Sequence, residues 1–289
     1  MNPDAIAACV STMRSKRPLV QCMPNVVAAE ITANVLLAAG AAPAMVIGIE
    51  EAPEFAAKKA TALSINCGAL TAERLASMRA AASAAASSER RPCWVLDPVA
   101  CGGTEHRTTA CRDLLTFAPS LVRANASEVL SLANAAGAKG PRGVDAADAA
   151  EAALPTAAAL ARERKMVVVV SGPTDYVTNG VDTYAVHGGS ARVTQVTGTG
   201  CALSALAIAF VAASQRADLD YAAACCAYYK ACAAIADADG CPGPGSFKLR
   251  LLDALAMPDA ALSSAIAAAG VTLTKFATPT VQMEAEAVQ

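Results

Sequence analysis

Aromatic and charged residues are scarce in this chain. Phenylalanine, tyrosine and tryptophan make up 4% of its 289 residues, and charged residues make up 17%. The formal net charge is -2, and no basic patch interleaved with aromatic side chains occurs. Nucleic-acid-binding surfaces depend on such patches, so we expect no nucleic acid among the partners.

A hydrophobic run long enough to cross a membrane is also missing. Apolar residues amount to 55% of the chain, but much of this is alanine. The longest apolar stretch, residues 201–214, is shorter than the roughly 18–20 residues that a bilayer requires. An early acidic residue, Asp4, and the lack of a basic region followed by an apolar one argue against a signal peptide. We therefore predict a cytoplasmic protein with no membrane partner.

Several metal-binding and catalytic motifs are absent too. The eleven cysteines include no C-x-x-C pair, and neither His106 nor His187 stands near a cysteine pair. This pattern predicts reduced thiols that pack as small hydrophobic groups, without a zinc site or a disulfide framework. The chain also lacks the G-x-x-x-x-G-K-[ST] phosphate loop, the G-x-S-x-G nucleophile elbow and the H-E-x-x-H motif.

What the chain does contain is an alternation of short apolar runs with longer helical patterns. Six runs are typical of strands: residues 18–22, 44–47, 62–65, 93–96, 120–123 and 166–171. Five segments between them favour helices: residues 26–39, 53–60, 71–87, 108–117 and 145–164. This order predicts an α/β fold, with a mostly parallel central sheet and helices on both faces.

The pattern changes after Ser171. Two short β-runs flank the dipeptide Asn179-Gly180, which suits a tight hairpin. The last third reads as almost entirely helical, with residues 243–247 separating two pieces. No internal repeat or linker divides the chain, so we predict a single domain of residues 1–289 with a loose tail from about residue 277.

Polar and glycine residues follow most of the predicted strands. The stretches are "MPN", "NCG", "DPVACGGT", "ANASE" and "SGPTD". In an open parallel sheet, ligands bind beyond the carboxyl ends of the strands. These stretches therefore predict a binding site at that edge.

The stretch Gly198-Thr199-Gly200-Cys201 precedes a long apolar helix. The free N–H groups and the dipole at a helix N-terminus attract anions, and glycine lets the backbone approach a phosphate closely. A tight turn before a core helix would need the same glycines. The motif alone leaves both interpretations open.

Three charged residues near the predicted strand ends raise the same question. Glu128 could hold a magnesium-bound water together with Asp97, or it could form a capping box with Asn125 three residues earlier. Arg123, at the end of an apolar strand, favours an anion as its partner.

The motifs between residues 18 and 255 resemble those of the hydroxyethylthiazole kinase family, of the ribokinase-like superfamily. In chain order they are "PLVQCMPN", "NCGAL", "LDPVACGGTEHRTT", "RANASEV", "GVDA", "SGPTDYVTNG", "VTGTGCALSA" and "GPGSF" with "LLDAL". The resemblance implies a ribokinase-like fold and ATP- and Mg²⁺-dependent phosphorylation of the primary alcohol of 4-methyl-5-(2-hydroxyethyl)thiazole, in thiamine salvage. It also implies a homotrimer with thiazole sites between subunits.

The resemblance further implies roles for individual residues. Cys201 stands where most ribokinase-like enzymes carry a catalytic Asp, and it is the expected base, with a thiol pKa lowered by the helix N-terminus. The alternative for Cys201 is a small buried hydrophobic residue. The other expected roles are substrate binding by Asn25, Met45, Gly68 and Gly198, ATP binding by Arg123, Ser171, Asn125 and Gly200, and metal binding by Asp97 and Glu128.

The sequence departs from the family at three positions. Gln21 replaces a histidine, Ile47 replaces an acidic residue, and Ser171 replaces a more common threonine. The first two lie near the expected thiazole side. Two alternatives therefore stay open: a kinase for another heterocyclic alcohol such as hydroxymethylpyrimidine, and a catalytically idle ligand-binding relative.

Overall fold

The protein is built around one nine-stranded sheet. A computed structural model describes residues 1–133, 150–214 and 218–279. The strands are β1 (Leu19–Met23), β2 (Ala42–Ala44), β3 (Ala62–Asn66), β4 (Cys93–Asp97), β5 (Leu121–Asn125), β6 (Val167–Ser171), β7 (Asp175–Thr178), β8 (Thr183–His187) and β9 (Thr272–Phe276). Their spatial order is β2-β1-β3-β4-β5-β6-β7-β8-β9. Strands β1 to β6 are parallel, and β7, β8 and β9 are antiparallel.

Helices cover both faces of this sheet. Those with described bounds are α1 (Pro3–Lys16), α2 (Ala29–Ala39), α3 (Ala52–Lys58), α4 (Ala72–Ser87), α5 (Glu105–Leu115), α6 (Ala126–Leu132), α7 (Leu154–Arg164), α8 (Thr199–Ala213), α9 (Asp218–Asp237), α10 (Pro244–Leu255) and α11 (Asp259–Ala268). Helices α1, α2 and α8 to α11 bury their apolar side chains on one face, and α3 to α7 on the other. The predicted α/β class is confirmed.

The strand β6 shows why an interior strand is apolar throughout. Val167 and Val169 belong to the hydrophobic core on one face, and Val168 and Val170 belong to the core on the opposite face. Successive side chains of a strand point to opposite faces, so both sets must be apolar when both faces are covered.

Most predicted elements are confirmed within a few residues, including the hairpin of β7 and β8. The predicted strand at 44–47 is wrong: β2 ends at Ala44, because Val46 donates its N–H to Ala44 O at 3.0 Å and the chain turns out of the sheet. The apolar residues beyond it, among them Met45 and Ile47, lie at the surface.

The two ends of the described chain also differ from expectation. Helix α1 and strand β9 were not predicted, and β9 pairs with β8 just before the segment expected to be loose. Residues 277–279 have no regular structure, and 280–289 lie outside the described residues. Helix α10 begins at Pro244, so most of "GPGSF" forms its first turns and does not separate two helices.

Two further expectations concern the chain around residue 145. Helix α7 begins at Leu154, whereas residues 145–149 of the predicted helix and the "GVDA" motif lie outside the described residues. None of the described helices is long and apolar enough to cross a lipid bilayer.

Candidate active site

Polar side chains meet at the carboxyl edge of the parallel sheet. Asn66, Asp97, Asn125 and Ser171 are the last residues of β3, β4, β5 and β6. The strand register places Asn66 beside Asp97 and Asn125 beside Ser171. The edge predicted from the sequence to bind a ligand therefore exists.

The N-terminus of α8 opens onto this edge in a fixed orientation. Gly198 caps the helix with φ +86°, a left-handed conformation that favours glycine. Thr199 donates from Oγ1 to Val193 O at 2.7 Å, and the Tyr229 hydroxyl donates to Thr199 O at 3.0 Å. The hydroxyl of the Gly-Thr-Gly-Cys motif is thus structural, and it anchors the first turn.

Arg123 lies against this first turn of α8. A Cβ added to Gly200 would lie 3.0 Å from Arg123 Nη1, so glycine is what allows the guanidinium to come so close. Within the described ranges Arg123 makes no hydrogen bond or ion pair, and its Nε is buried. Burial lowers the pKa of this guanidinium, but nearby carboxylates, first that of Asp97, outweigh burial and raise it above its ordinary value. A charged donor at a helix N-terminus that has no hydrogen-bond partner in the described chain is suited to an anion.

A cleft of about 460 Å³ adjoins this turn. Arg123, Ser171 and Gly200, three of the four residues expected to bind ATP, line it. Asn125 does not: it lines a neighbouring hollow of about 560 Å³ together with Glu128. The structure therefore brings three of the four together.

Asp97 is buried at the centre of the site. Asn66 Nδ2 and Ser204 Oγ both donate to Asp97 Oδ2, at 2.7 Å and 2.8 Å. Burial raises the pKa of the Asp97 carboxyl to about 7, and this effect outweighs the lowering by Arg123. Asp97 is thus a carboxyl group that titrates near neutral pH.

Glu128 forms the capping box that the sequence suggested. Its Oε2 accepts the Asn125 N–H at 2.9 Å, and Asn125 Oδ1 accepts the Glu128 N–H at 2.9 Å. Its other oxygen, Oε1, accepts the Ala100 N–H at 2.8 Å. Each carboxylate oxygen keeps a lone pair, so Glu128 can still receive a metal-bound water.

Cys201 is half-buried at the same helix N-terminus. Burial and the Asp97 carboxylate raise the pKa of its thiol, outweighing the lowering by the Asn66 amide and by Arg123. The expectation of a lowered pKa is therefore wrong for the unliganded protein. The helix dipole favours the thiolate, but desolvation and the buried Asp97 carboxyl both favour the neutral thiol.

Two of the four expected substrate residues are in close contact on the other side of the site. A Cβ added to Gly68 would lie 2.2 Å from Asn25 Nδ2, so the Asn25 side chain occupies the space beside this glycine. A Cβ added to Gly198 would meet Ile31 Cγ2 at 2.7 Å. Met45 is 39% exposed in the loop after β2.

Gln21, the replacement for the family's histidine, holds this loop in place. It is fully buried, and its Nε2 donates to Val46 O at 3.0 Å and to Ala52 O at 3.1 Å. Ile47 lies in the same loop with its side chain exposed. Gln21 and Ile47, the two departures from the family near the expected thiazole side, therefore both involve the loop after β2.

Several residues of the site were not identified from the sequence. Asn66 was visible only as part of "NCG" after a strand, and Ser204 lies one helical turn beyond Cys201. Asp175 was visible only as the last residue of "SGPTD", and Lys230, its ion-pair partner in the wall of the cleft, gave no sequence signal. Within the described residues, no group of three or more His, Cys, Asp or Glu side chains is placed to hold a metal ion.

The mostly parallel nine-stranded sheet with helices on both faces is a ribokinase-like fold. A pyridoxal kinase from Staphylococcus aureus shares the fold, with a TM-score of 0.53 at 13% identity over 73% of this chain and 85% of its own. The chain belongs to the hydroxyethylthiazole kinase family, whose sequence profile matches residues 10–259.

Individual relatives agree with this assignment. A hydroxyethylthiazole kinase of Klebsiella pneumoniae subsp. pneumoniae is 49% identical over 255 residues, which cover 88% of this chain and 96% of the relative. One from Shigella flexneri serotype 5b is 50% identical over 238 residues, 82% of this chain and 88% of the relative. The solved structure of a hydroxyethylthiazole kinase protein from Pyrococcus horikoshii OT3 has a TM-score of 0.80 at 31% identity, over 94% of this chain and 99% of its own.

Proposed function

We propose that this protein transfers the γ-phosphoryl group of ATP to the primary alcohol of 4-methyl-5-(2-hydroxyethyl)thiazole, a step of thiamine salvage. The observation that carries the proposal is the buried Arg123 guanidinium held against Gly200 at the start of α8, with no hydrogen bond to any described residue. Family membership supports this substrate, and the position of Arg123 beside Gly200 supports a phosphate site.

The nucleotide phosphates would lie between Arg123 and the first turn of α8. Free N–H groups of that turn and the guanidinium would neutralise charge as it spreads over the phosphoryl oxygens. Ser171, at the end of β6, would contact the nucleotide from the opposite wall of the same cleft. Gly198 would contact the substrate through its backbone, and Asn125 would act from the neighbouring hollow.

Magnesium would be held by Asp97 and Glu128. The two carboxyl groups are close enough for Glu128 to raise the pKa of Asp97. Such a pair of carboxyl groups suits a divalent cation. Because both oxygens of Glu128 already accept backbone N–H groups, we assign it to a metal-bound water and not to the ion itself. When bound, the ion would neutralise phosphate charge.

Cys201 is the proposed acceptor of the alcohol's proton. The S–H bond that forms would replace the O–H bond lost as the alcohol oxygen attacks phosphorus. Because the thiol pKa is raised, only a small fraction of the thiol is ionised at neutral pH in the free protein. Turnover should therefore rise with pH through the alkaline range.

The thiazole would bind beside Asn25, Gly68 and Met45, in a homotrimer whose subunits share each site. Six of the eight large hydrophobic residues exposed in the described chain fall between residues 26 and 49: Val26, Val27, Leu37, Met45, Ile47 and Ile49. Such a concentration marks an interaction surface. The free cysteines suit the reducing cytoplasm, where we place the protein.

Release of ADP tests this function. Turnover should be faster with hydroxyethylthiazole than with hydroxymethylpyrimidine, and Arg123→Gln should abolish most of it. Arg79→Gln, which breaks an exposed ion pair with Asp113, is the matched control and should be active. Preference for the pyrimidine would support the alternative kinase. Binding of either alcohol without ADP release would indicate an idle ligand-binding relative.

A further inference from the structure

Lys230, on α9, joins two loops in the wall of the nucleotide cleft. Its Nζ donates to Pro173 O at 2.9 Å and to Gly172 O at 3.2 Å, both in the loop between β6 and β7. It also donates to Gly188 O at 3.4 Å, in the loop that follows β8. The three carbonyl groups that accept these hydrogen bonds belong to two loops, and both loops line the cleft.

The charge of Lys230 is matched within the protein. Asp175 Oδ2 lies 3.5 Å from Nζ, and the side chains of Lys230 and Asp175 are 12% and 5% exposed respectively. Asp175 Oδ1 in turn accepts the Gly172 N–H at 2.9 Å. The pair therefore fixes the β6–β7 loop from both sides.

The second loop is shaped to reach this lysine. Gly189 has φ +92°, and a Cβ there would lie 3.1 Å from Lys230 Cγ and 3.5 Å from its Cα. A side chain at this position would both strain the backbone and push the loop away from α9. Glycine thus permits the contact that the Gly188 carbonyl makes.

We propose that Lys230, paired with Asp175, is a positioning residue that sets the affinity for the nucleotide and not for the alcohol. The ammonium has three protons, and carbonyl and carboxylate acceptors in the protein surround it, so it acts on ATP through the loops. Breaking a buried pair leaves an uncompensated charge, whereas removing both partners does not. This inference rests on the proposed assignment of the cleft to ATP.

Steady-state kinetics and calorimetry of the full-length protein test the proposal. Lys230→Met should raise KM for ATP and its Kd about tenfold, a change of the size that coupled contacts produce. KM for the thiazole should stay within about twofold, as expected for a site that is not coupled to Lys230. Lys230→Arg should recover part of the ATP affinity, and the double variant Lys230→Met/Asp175→Asn should bind ATP better than Lys230→Met alone. Lys58→Met, which breaks an exposed pair with Glu54 on α3, is the control.

The outcomes separate the inference from the function it rests on. If wild-type protein binds no ATP, the proposed function fails. If Lys230→Met and the double variant both bind ATP as tightly as wild-type protein does, the inference is overturned. The inference would also be overturned if Lys230→Arg and the double variant fold but lose affinity for ATP and for the thiazole equally. That result would indicate a general structural role for Lys230.

Discussion

Asn66 donates a hydrogen bond to Asp97 across the carboxyl ends of β3 and β4, at 2.7 Å. Its other amide atom, Oδ1, accepts the Gly68 N–H at 2.9 Å. One side chain thus links the buried carboxyl to the glycine beside Asn25. The expected metal side and substrate side of the site are joined through a residue that the sequence did not single out.

The raised pKa of Asp97 predicts how stability depends on pH. Between about pH 4 and about pH 7 the folded protein keeps a proton on Asp97 that the unfolded chain releases. Native protein then binds more protons than unfolded protein, so this carboxyl makes stability fall as pH rises through that window. Asp97→Asn, which stays neutral, should lose this dependence and have a higher Tm than wild type at about pH 8.

Thermal unfolding with EDTA and without nucleotide measures the Asp97 effect. The Tm difference between wild type and Asp97→Asn should shrink towards about pH 4. Asp113→Asn, at a partly exposed carboxyl, controls for loss of surface charge. Parallel Tm curves for wild type and Asp97→Asn would contradict the prediction.

Glu128→Gln should affect both folding and metal use. A glutamine has one acceptor oxygen, so its amide nitrogen would face the N–H of Asn125 or Ala100 and cost about 1–3 kcal/mol. If Glu128 also holds a metal-bound water, kcat should fall strongly and the Mg²⁺ concentration for half-maximal rate should rise.

A second capping variant separates these two effects. Thr71→Ala removes the N-cap of α4, where Thr71 Oγ1 accepts the Arg74 N–H, and should cost about 1 kcal/mol. Its Mg²⁺ dependence should equal that of wild type. An unchanged Mg²⁺ dependence in Glu128→Gln would leave Glu128 with the capping role alone.

Substitutions of Cys201 test its role as a base. Cys201→Ala should lose roughly 10²–10⁴-fold in kcat while the thiazole still binds. Cys201→Ser should not rescue turnover, because a hydroxyl is not deprotonated near neutral pH. Cys201→Asp should retain or restore it, and should move the acid limb of the kcat profile to lower pH, since a carboxyl group has a far lower pKa than a thiol held above its ordinary value.

The pH profile of kcat is the decisive measurement for Cys201. Cys9→Ala on helix α1, at a residue that does not line the cleft, is a matched loss of a thiol and should leave the profile unchanged. Turnover of Cys201→Ala within a few-fold of wild type would mean that the thiol only packs. The anion site would then carry the reaction without a protein base, as a loose transition state allows.

Gln21→Met should destabilise the protein and weaken thiazole binding. The substitution keeps the volume but leaves the Val46 and Ala52 carbonyls without their buried donor, at a cost of about 1–3 kcal/mol. KM for the thiazole should rise more than KM for ATP, because the loop carries Met45. Urea unfolding and the two KM values test this.

A buried hydroxyl offers the control for Gln21. Thr32 Oγ1 is buried and has no hydrogen-bond partner among the described residues. Thr32→Val should therefore be neutral or stabilising. Equal changes in the two KM values of Gln21→Met would remove Gln21 from the thiazole side.

The sequence predicted the parallel part of the sheet well because burial there follows a simple period. The run before Ser171 is apolar at every position, as two covered faces require, and β6 lies within one residue of the prediction. The run 44–47 is equally apolar, but Met45 and Ile47 are exposed and only Val46 packs against the core. Composition cannot distinguish these two reasons for being apolar.

The site was predictable where local sequence decides and not where distant segments meet. The capping box of Asn125 and Glu128 and the turn at Gly198 follow from neighbouring residues. The pKa of Cys201 depends on Asp97, more than a hundred positions away, and so do the hydrogen bonds of Ser204. Such effects require the fold.

Strand β2 limits how the sheet can grow. Ala42 donates its N–H to Pro18 O at 3.0 Å, so the next peptide group, that of Pro43, faces the open side. Proline has no N–H, and a strand arriving at this edge would find no donor to pair with. Main-chain pairing at this edge is therefore limited to the Pro43 carbonyl as an acceptor, which disfavours templated aggregation along β2.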